Sequence, residues 1–174
     1  MDFELDINSK ANKGYFNGYK ATIQKENEQP TAQWFNANDR ITINEAFCML
    51  VDQANPRAVH KMFYDENKER YGTWLQLDFT KRTESGNHEM KRFHDRYGYN
   101  LLEKLDDYAF KQLDSPKQKL VAYNILEQGR ELELSPVNQD KYATVVIRAN
   151  PERKTISILD SEGKFLSHDQ FRTE

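Results

Sequence analysis

The side chains best suited to metal binding or general acid–base chemistry are scattered along this sequence. Of its four histidines, His88 and His94 lie nearest to each other, six positions apart. Neither the His-Glu-x-x-His zinc spacing nor a local pattern of two histidines and one carboxylate occurs. A metal site that draws on His60 or His168 through the fold is the alternative. The spacing predicts no metal site and no cofactor.

Nucleophilic catalysis needs a Ser, Cys or Thr held beside a base and an oxyanion site. No Gly-x-Ser-x-Gly turn is present, and the seven glycines form neither a Gly-x-Gly-x-x-Gly loop nor a P-loop. The single cysteine, Cys48, excludes an intrachain disulfide. It lies within a predicted helix, where we expect a small buried side chain. We therefore predict that the protein is not an enzyme.

Binding of single-stranded nucleic acid needs a basic groove and an aromatic ring on which a base can stack. Trp74 lies on the otherwise polar side of a predicted strand, and Arg57, Lys61 and Arg92 are basic residues near it in the sequence. These four residues form the predicted nucleic-acid site. The alternative is that Trp74 packs under a helix or loop and covers the second face of its sheet.

Composition excludes several other classes of protein. The net charge is −3 and the pI about 5.9, so no overall basicity indicates nucleic acid or acidic lipid. No apolar run approaches the roughly 20 residues of a membrane span, and the acidic start is not a signal peptide. We expect a folded cytoplasmic protein without membrane contact. If its partner is another protein, Tyr15, Phe16 and Tyr19 are the expected contacts.

The elements that must position these residues begin with the stretch 71–79. Its residues alternate between an apolar side and a polar side, which predicts a strand with one buried face. The segment 58–64 predicts an antiparallel partner for it. Thr42 and Glu45 have the spacing of a capping box and predict the start of a helix. Apolar residues at helical spacing then predict its buried stripe, namely Ile43, Ala46, Phe47, Leu50 and Val51.

Residues 88–93 fit either a strand or a helix, and the spacing of Met90, Phe93 and Tyr97 favours the helix. Helices are also predicted over 101–113, after Asn100, and from Ser115-Pro116 to Gly129. Residues 1–14 are predicted to be a loosely held arm. Further strands are predicted at 19–24, 31–36, 131–134, 142–149 and 155–160, with a short edge strand at 165–166.

The order of these elements predicts one α+β domain over residues 1–174, with a mainly antiparallel sheet packed against three or four helices. Because this pattern of elements is compatible with many activities, the fold class alone predicts no function.

Three motifs carry a resemblance: Trp-Leu-Gln-Leu-Asp-Phe at 74–79, Phe-His-x-x-Tyr-Gly-Tyr-x-Leu at 93–101, and Ala-Asn-Pro-x-x-Lys-Thr-Ile at 149–156. In this order the sequence resembles an uncharacterised bacterial domain family of conjugative transposons and related mobile elements of gut bacteria, over about residues 41–163. A Gly-Arg-x-Val-x-Lys pattern of that family begins with Pro56 here instead of glycine. The family has no established activity, so the resemblance implies a genomic context.

Together these observations predict a non-enzymatic binding module of a protein associated with mobile elements. Single-stranded nucleic acid is the first expectation for its ligand, and the alternative is a protein–protein interaction domain that binds no nucleic acid.

Overall fold

The computed structural model describes residues 1–10, 13–137 and 141–173. In these ranges the strands form three antiparallel sheets, ordered β1-β2-β3, β4-β5-β6 and β7-β8-β9. The strands are β1 (Asp2–Lys10), β2 (Lys13–Ile23), β3 (Thr31–Asn36), β4 (Ala58–Tyr64), β5 (Arg70–Arg82), β6 (His88–His94), β7 (Leu132–Leu134), β8 (Val145–Asn150) and β9 (Thr155–Leu159). The α-helices are α1 (Ile43–Leu50), α2 (Leu101–Asp106) and α3 (Pro116–Leu126).

The expected architecture of one antiparallel sheet backed by three or four helices is wrong. The described residues form three separate sheets of three strands, and the three α-helices are short. The helix content is lower than predicted because residues 88–94 form a strand and because α2 ends at Asp106 instead of reaching residue 113. The helices therefore fill gaps between sheets and do not form a layer of their own.

Strand β5 separates two hydrophobic cores. The prediction of a strand over 71–79 is confirmed, and so is its antiparallel pairing with β4. The expectation of a single buried face is wrong, because residues 72–78 are all buried. Leu75 and Leu77 belong to a core with the first sheet and α1, whereas Trp74 belongs to a core with α2, α3 and the third sheet.

The helix favoured for residues 88–93 is also wrong, because these residues form β6. In the register with β5, Met90 lies opposite Leu77 and Phe93 lies opposite Trp74. Residues three apart share one face of a helix but point to opposite faces of a strand. A sheet covered on both sides needs apolar side chains on both of its faces, and Met90 and Phe93 accordingly pack against different cores.

The N-terminal segment is part of a sheet where the sequence predicted a loosely held arm over 1–14. Strand β1 pairs along its length with β2, with a bulge between Asp6 and Ile7. Residues 11 and 12 of the predicted arm lie outside the described residues. Pairing satisfies backbone groups that a loose arm would leave to water. Leu5, Ile7 and Phe16 of this β1–β2 hairpin nevertheless remain exposed.

The helix starts were predicted more accurately than the buried helix faces. The capping box of Thr42 and Glu45 is confirmed, and Ser115 caps α3 as expected. Ile43 and Phe47 are exposed, however, and Met49 is buried in their place. Within the described ranges, none of the helices is both long enough and apolar enough to span a membrane.

Candidate ligand-binding cleft

The structure places Trp74 in a core. Its side chain is 3% exposed and packs against the rings of His60 and Tyr99, whose centroids lie 5.1 and 5.4 Å from that of Trp74. Base stacking requires an accessible ring face. In this position Trp74 covers the second face of its sheet, which was the alternative prediction from the sequence.

The three predicted cations do not gather around Trp74. Residues directly opposite each other in an antiparallel pair point to the same face. Lys61 lies opposite Thr73 and Arg92 lies opposite Leu75, so both are on the face away from Trp74.

Each of these cations also has an acidic partner. Lys61 Nζ lies 2.6 Å from Glu45 Oε1, and Arg92 Nη2 lies 2.6 Å from Asp39 Oδ1. Arg57 Nη2 lies 3.2 Å from Glu131 Oε1. Together, the four residues do not form a continuous site.

The other side chains that could bind a metal or take part in catalysis are dispersed as well. His60 lies between the carboxylates of Asp95 and Glu127, each 3.8 Å from a ring nitrogen. Burial lowers the pKa of this imidazole, against the pull of both carboxylates. Cys48 is buried, as expected, and burial raises the pKa of its thiol. Within the described residues, no three His, Cys, Asp or Glu side chains are grouped to hold a metal ion.

A cleft of about 870 Å³ lies between the β8–β9 hairpin, the end of α2 and the C-terminal segment. Its lining includes five basic side chains, Lys104, Arg148, Arg153, Lys154 and Arg172, and two carboxylates, Asp107 and Glu152. With His168 neutral, the lining carries a net charge of +3, whereas the whole chain carries −3. Positive charge is thus concentrated at one concave site of an acidic protein.

Most of the charges in the lining are already compensated. Asp107 binds Lys104 at 2.9 Å, and Glu152 binds Lys91 at 2.9 Å. Arg148 binds Asp52 at 2.8 Å and also contacts Glu131. Lys154 Nζ lies 4.2 Å from the centre of the Tyr97 ring.

Arg153 and Arg172 differ from Lys104 and Arg148. Among the described residues, neither guanidinium has a carboxylate within ion-pair distance. Both side chains are exposed to solvent and line the same cleft. Their ten N–H groups in total are available to an external anion.

Three hydrogen-bonded side chains line the same cleft as these guanidinium groups. The Tyr108 hydroxyl lies 2.8 Å from Thr155 Oγ1 and 2.7 Å from His168 Nδ1, and Tyr108 itself is buried. Burial, followed by the positive charges of Arg172 and Arg153, lowers the pKa of His168. The imidazole is therefore neutral at pH 7, and its Nδ1 is engaged by Tyr108.

Backbone contacts fix the positions of both arginines. The Ala109 amide donates to Phe171 O at 2.8 Å, and the Thr173 amide donates to Asp107 O at 3.1 Å, so Arg172 lies in a segment held on both sides. On the β8–β9 turn, the Asn150 side chain accepts a hydrogen bond from the Arg153 amide at 3.1 Å. The cationic groups extend from a constrained backbone, which lowers the entropic cost of binding.

No family model, curated protein or solved structure matches the chain. The cleft therefore has to be interpreted from its own geometry. Sequence reasoning missed Arg153, Arg172 and Tyr108 and considered His168 only as part of an alternative metal site. The sequence feature that could have indicated Arg153 is the chain reversal at Asn150-Pro151, which places the consecutive basic residues Arg153 and Lys154 on a tight turn.

Proposed function

We propose that this protein is a non-enzymatic binding module whose cleft holds a ligand that bears phosphate. The observation that carries the proposal is the pair Arg153 and Arg172, which line one cleft without an acidic partner in the described part of the chain. Guanidinium groups match the oxygens of phosphates and carboxylates with two parallel hydrogen bonds.

The charge of the lining supports phosphate over a single carboxylate. Arg153, Lys154 and Arg172 have no carboxylate partner among the described residues, and their positive charges are best neutralised by a ligand with more than one negative charge. The volume of about 870 Å³ lies within the range of small-molecule sites, roughly 300 to 1,000 Å³. His168 adds a neutral imidazole, whose protonation an adjacent anion would favour.

The test is calorimetric titration with inorganic phosphate and pyrophosphate at low salt. We expect pyrophosphate to bind more tightly than phosphate, with an affinity that falls as ionic strength rises. Replacing both guanidinium groups in Arg153→Gln/Arg172→Gln should weaken binding at least tenfold, because a hydrogen bond to a charged group contributes about 1.5–3 kcal/mol.

The matched control is Lys20→Gln/Lys117→Gln, which removes the same charge from exposed positions outside the cleft lining. It should bind pyrophosphate like the unmodified protein. Equal weakening in both double variants would mean that net charge alone drives binding, and no binding to the unmodified protein would refute the proposal.

Contact with another protein stays a prediction. The observation that favours it is the hairpin β1–β2, where Leu5, Ile7, Tyr15 and Phe16 are each at least half exposed. Association with mobile elements also stays a prediction, and the phosphate proposal does not rest on it.

A further inference from the structure

We propose that the ligand of the cleft is a nucleotide, bound with its phosphate at Arg153 and Arg172 and its base against Phe165. This inference rests on the proposed function and names the class of ligand. Phe165 lines the same cleft as the two arginines, and its side chain is 50% exposed. The aromatic ring and the cations sought around Trp74 are therefore found together at the cleft.

Phe165 is held in place by its neighbours. It forms an isolated antiparallel bridge with Leu159, and the next amide, of Leu166, donates to Ile158 O at 2.9 Å. The preceding turn is closed by Asp160 Oδ1, which accepts hydrogen bonds from the amides of Glu162 and Lys164 at 3.0 and 2.9 Å. An exposed ring on a constrained backbone can receive a flat ligand with little loss of freedom.

The combination of groups selects a nucleotide among phosphorylated ligands. Guanidinium groups bind the phosphate of any of them, including sugar phosphates. A half-exposed phenyl ring contributes only if the ligand brings a flat surface to it, and every nucleobase has such a π-face. The ring should therefore distinguish a nucleotide from the same sugar phosphate without a base.

The experiment compares adenosine 5′-monophosphate with ribose 5-phosphate by calorimetric titration. The two probes share the phosphate and the sugar and differ in the base. We expect the nucleotide to bind at least about fivefold more tightly, as a single base–aromatic stack gives. Phe165→Leu keeps an apolar side chain but removes the ring. It should abolish the difference between the probes and leave the affinity for ribose 5-phosphate unchanged.

The matched control is Phe16→Leu, which changes another phenylalanine of 50% exposure, on β2 and outside the cleft lining. It should retain the preference for the nucleotide. Phe165→Trp should retain or increase this preference, because a larger ring replaces the phenyl group.

The outcomes separate this inference from the proposed function. Equal affinity for the two probes in the unmodified protein would overturn the nucleotide assignment and leave phosphate binding intact, whereas no binding of either probe would overturn both. A short oligothymidine distinguishes the source of the nucleotide. If the oligothymidine binds more tightly than the mononucleotide and Phe165→Leu removes this gain, the protein recognises nucleotides within a single strand. If Phe165→Leu leaves the affinity for the oligothymidine unchanged, the stacking role of Phe165 is contradicted.

Discussion

Two regions of this molecule combine an aromatic side chain with basic residues, but the surroundings of these groups differ. In sheet β4–β6, Trp74 is 3% exposed, and the basic residues near it in the sequence are paired with carboxylates. At the cleft, Phe165 is 50% exposed, and among the described residues Arg153 and Arg172 have no carboxylate partner. The same residue types therefore stabilise the fold in one region and remain available to a ligand in the other.

The difference arises from what covers each region. Sheet β4–β6 has a core on both faces, so Trp74 at its centre is buried and the half-buried Lys61 needs a compensating charge. The cleft is concave and open to water, where an uncompensated guanidinium group stays hydrated at little cost. Exposure and pairing, more than residue type, separate structural residues from candidate binding residues.

The largest expected effect is the loss of the Trp74 side chain. Trp74→Ala should lower the free energy of unfolding by about 4 kcal/mol, because it leaves a cavity in a close-packed core. Phe165→Ala should lower it by about 1 kcal/mol or less, since half of that ring is already exposed. Urea denaturation followed by circular dichroism measures both values.

A cost for Trp74→Ala no larger than that for Phe165→Ala would contradict the structural assignment of Trp74. So would a Trp74→Ala variant that keeps its stability and loses affinity for single-stranded DNA. Phe165→Ala provides the internal comparison, because both substitutions remove an aromatic ring and introduce the same residue.

The second effect concerns the charges. Glu45 is buried, binds Lys61 Nζ at 2.6 Å and accepts a hydrogen bond from the Thr42 amide at 2.7 Å. Glu45→Ala leaves Lys61 without its partner and removes the acceptor of the Thr42 amide, which is one half of the capping box, so it should cost about 3 kcal/mol. Arg153→Gln and Arg172→Gln should each change stability by no more than about 0.5 kcal/mol.

Glu45→Gln is the control for this comparison. It retains an acceptor for the Thr42 amide and removes only the charge, so its cost should lie between those of Glu45→Ala and the unmodified protein. If an arginine substitution in the cleft proved as destabilising as Glu45→Ala, that arginine would have a structural partner and would not be free for a ligand.

The contrast also shows which features the sequence could predict. The capping box at Thr42 and the strand over 71–79 depend on residues a few positions apart, and both predictions are confirmed, whereas the single buried face predicted for that strand is wrong. Met90 and Phe93 fit two periodicities, and the coverage of the sheet by two cores favours the strand. That coverage is a tertiary property, so local spacing alone did not identify it.

The cleft depends entirely on such tertiary contacts. Arg153 comes from the β8–β9 turn, Phe165 from the segment that bridges to Leu159, and Arg172 from the segment held against Asp107. Nothing in the spacing of these residues indicates that they meet. Pairing of charges is equally hidden, because the partner of Arg92 lies 53 positions away at Asp39.

The smallest expected effect is on pH dependence, because burial lowers the pKa of His60 and His88 in sheet β4–β6 and of His168 at the cleft. His88 is buried against Phe79, and both of its ring nitrogens lack a hydrogen-bond partner among the described residues. Burial, followed by the charge of Arg82, lowers its pKa, as burial and the cleft arginines do for His168. A lowered pKa in the folded state means that stability is complete above the ordinary value of about 6.5 and decreases as the pH falls through it.

We therefore expect the free energy of unfolding to decrease between pH 7 and pH 5, with separable contributions from the two regions. His88→Leu should remove the contribution of His88 and leave that of His60, because leucine fills the His88 site without a titrating group. Saturating pyrophosphate should reduce only the share of His168, since a bound anion offsets the charges of Arg172 and Arg153 and favours the protonated imidazole. His94→Gln is the control, because it removes an exposed imidazole and keeps a polar group for the Thr73 hydroxyl, which lies 2.9 Å from His94 Nδ1. Urea denaturation at each pH measures these differences. A pH slope that pyrophosphate leaves unchanged, at concentrations that saturate the protein, would mean that the anion does not bind beside His168.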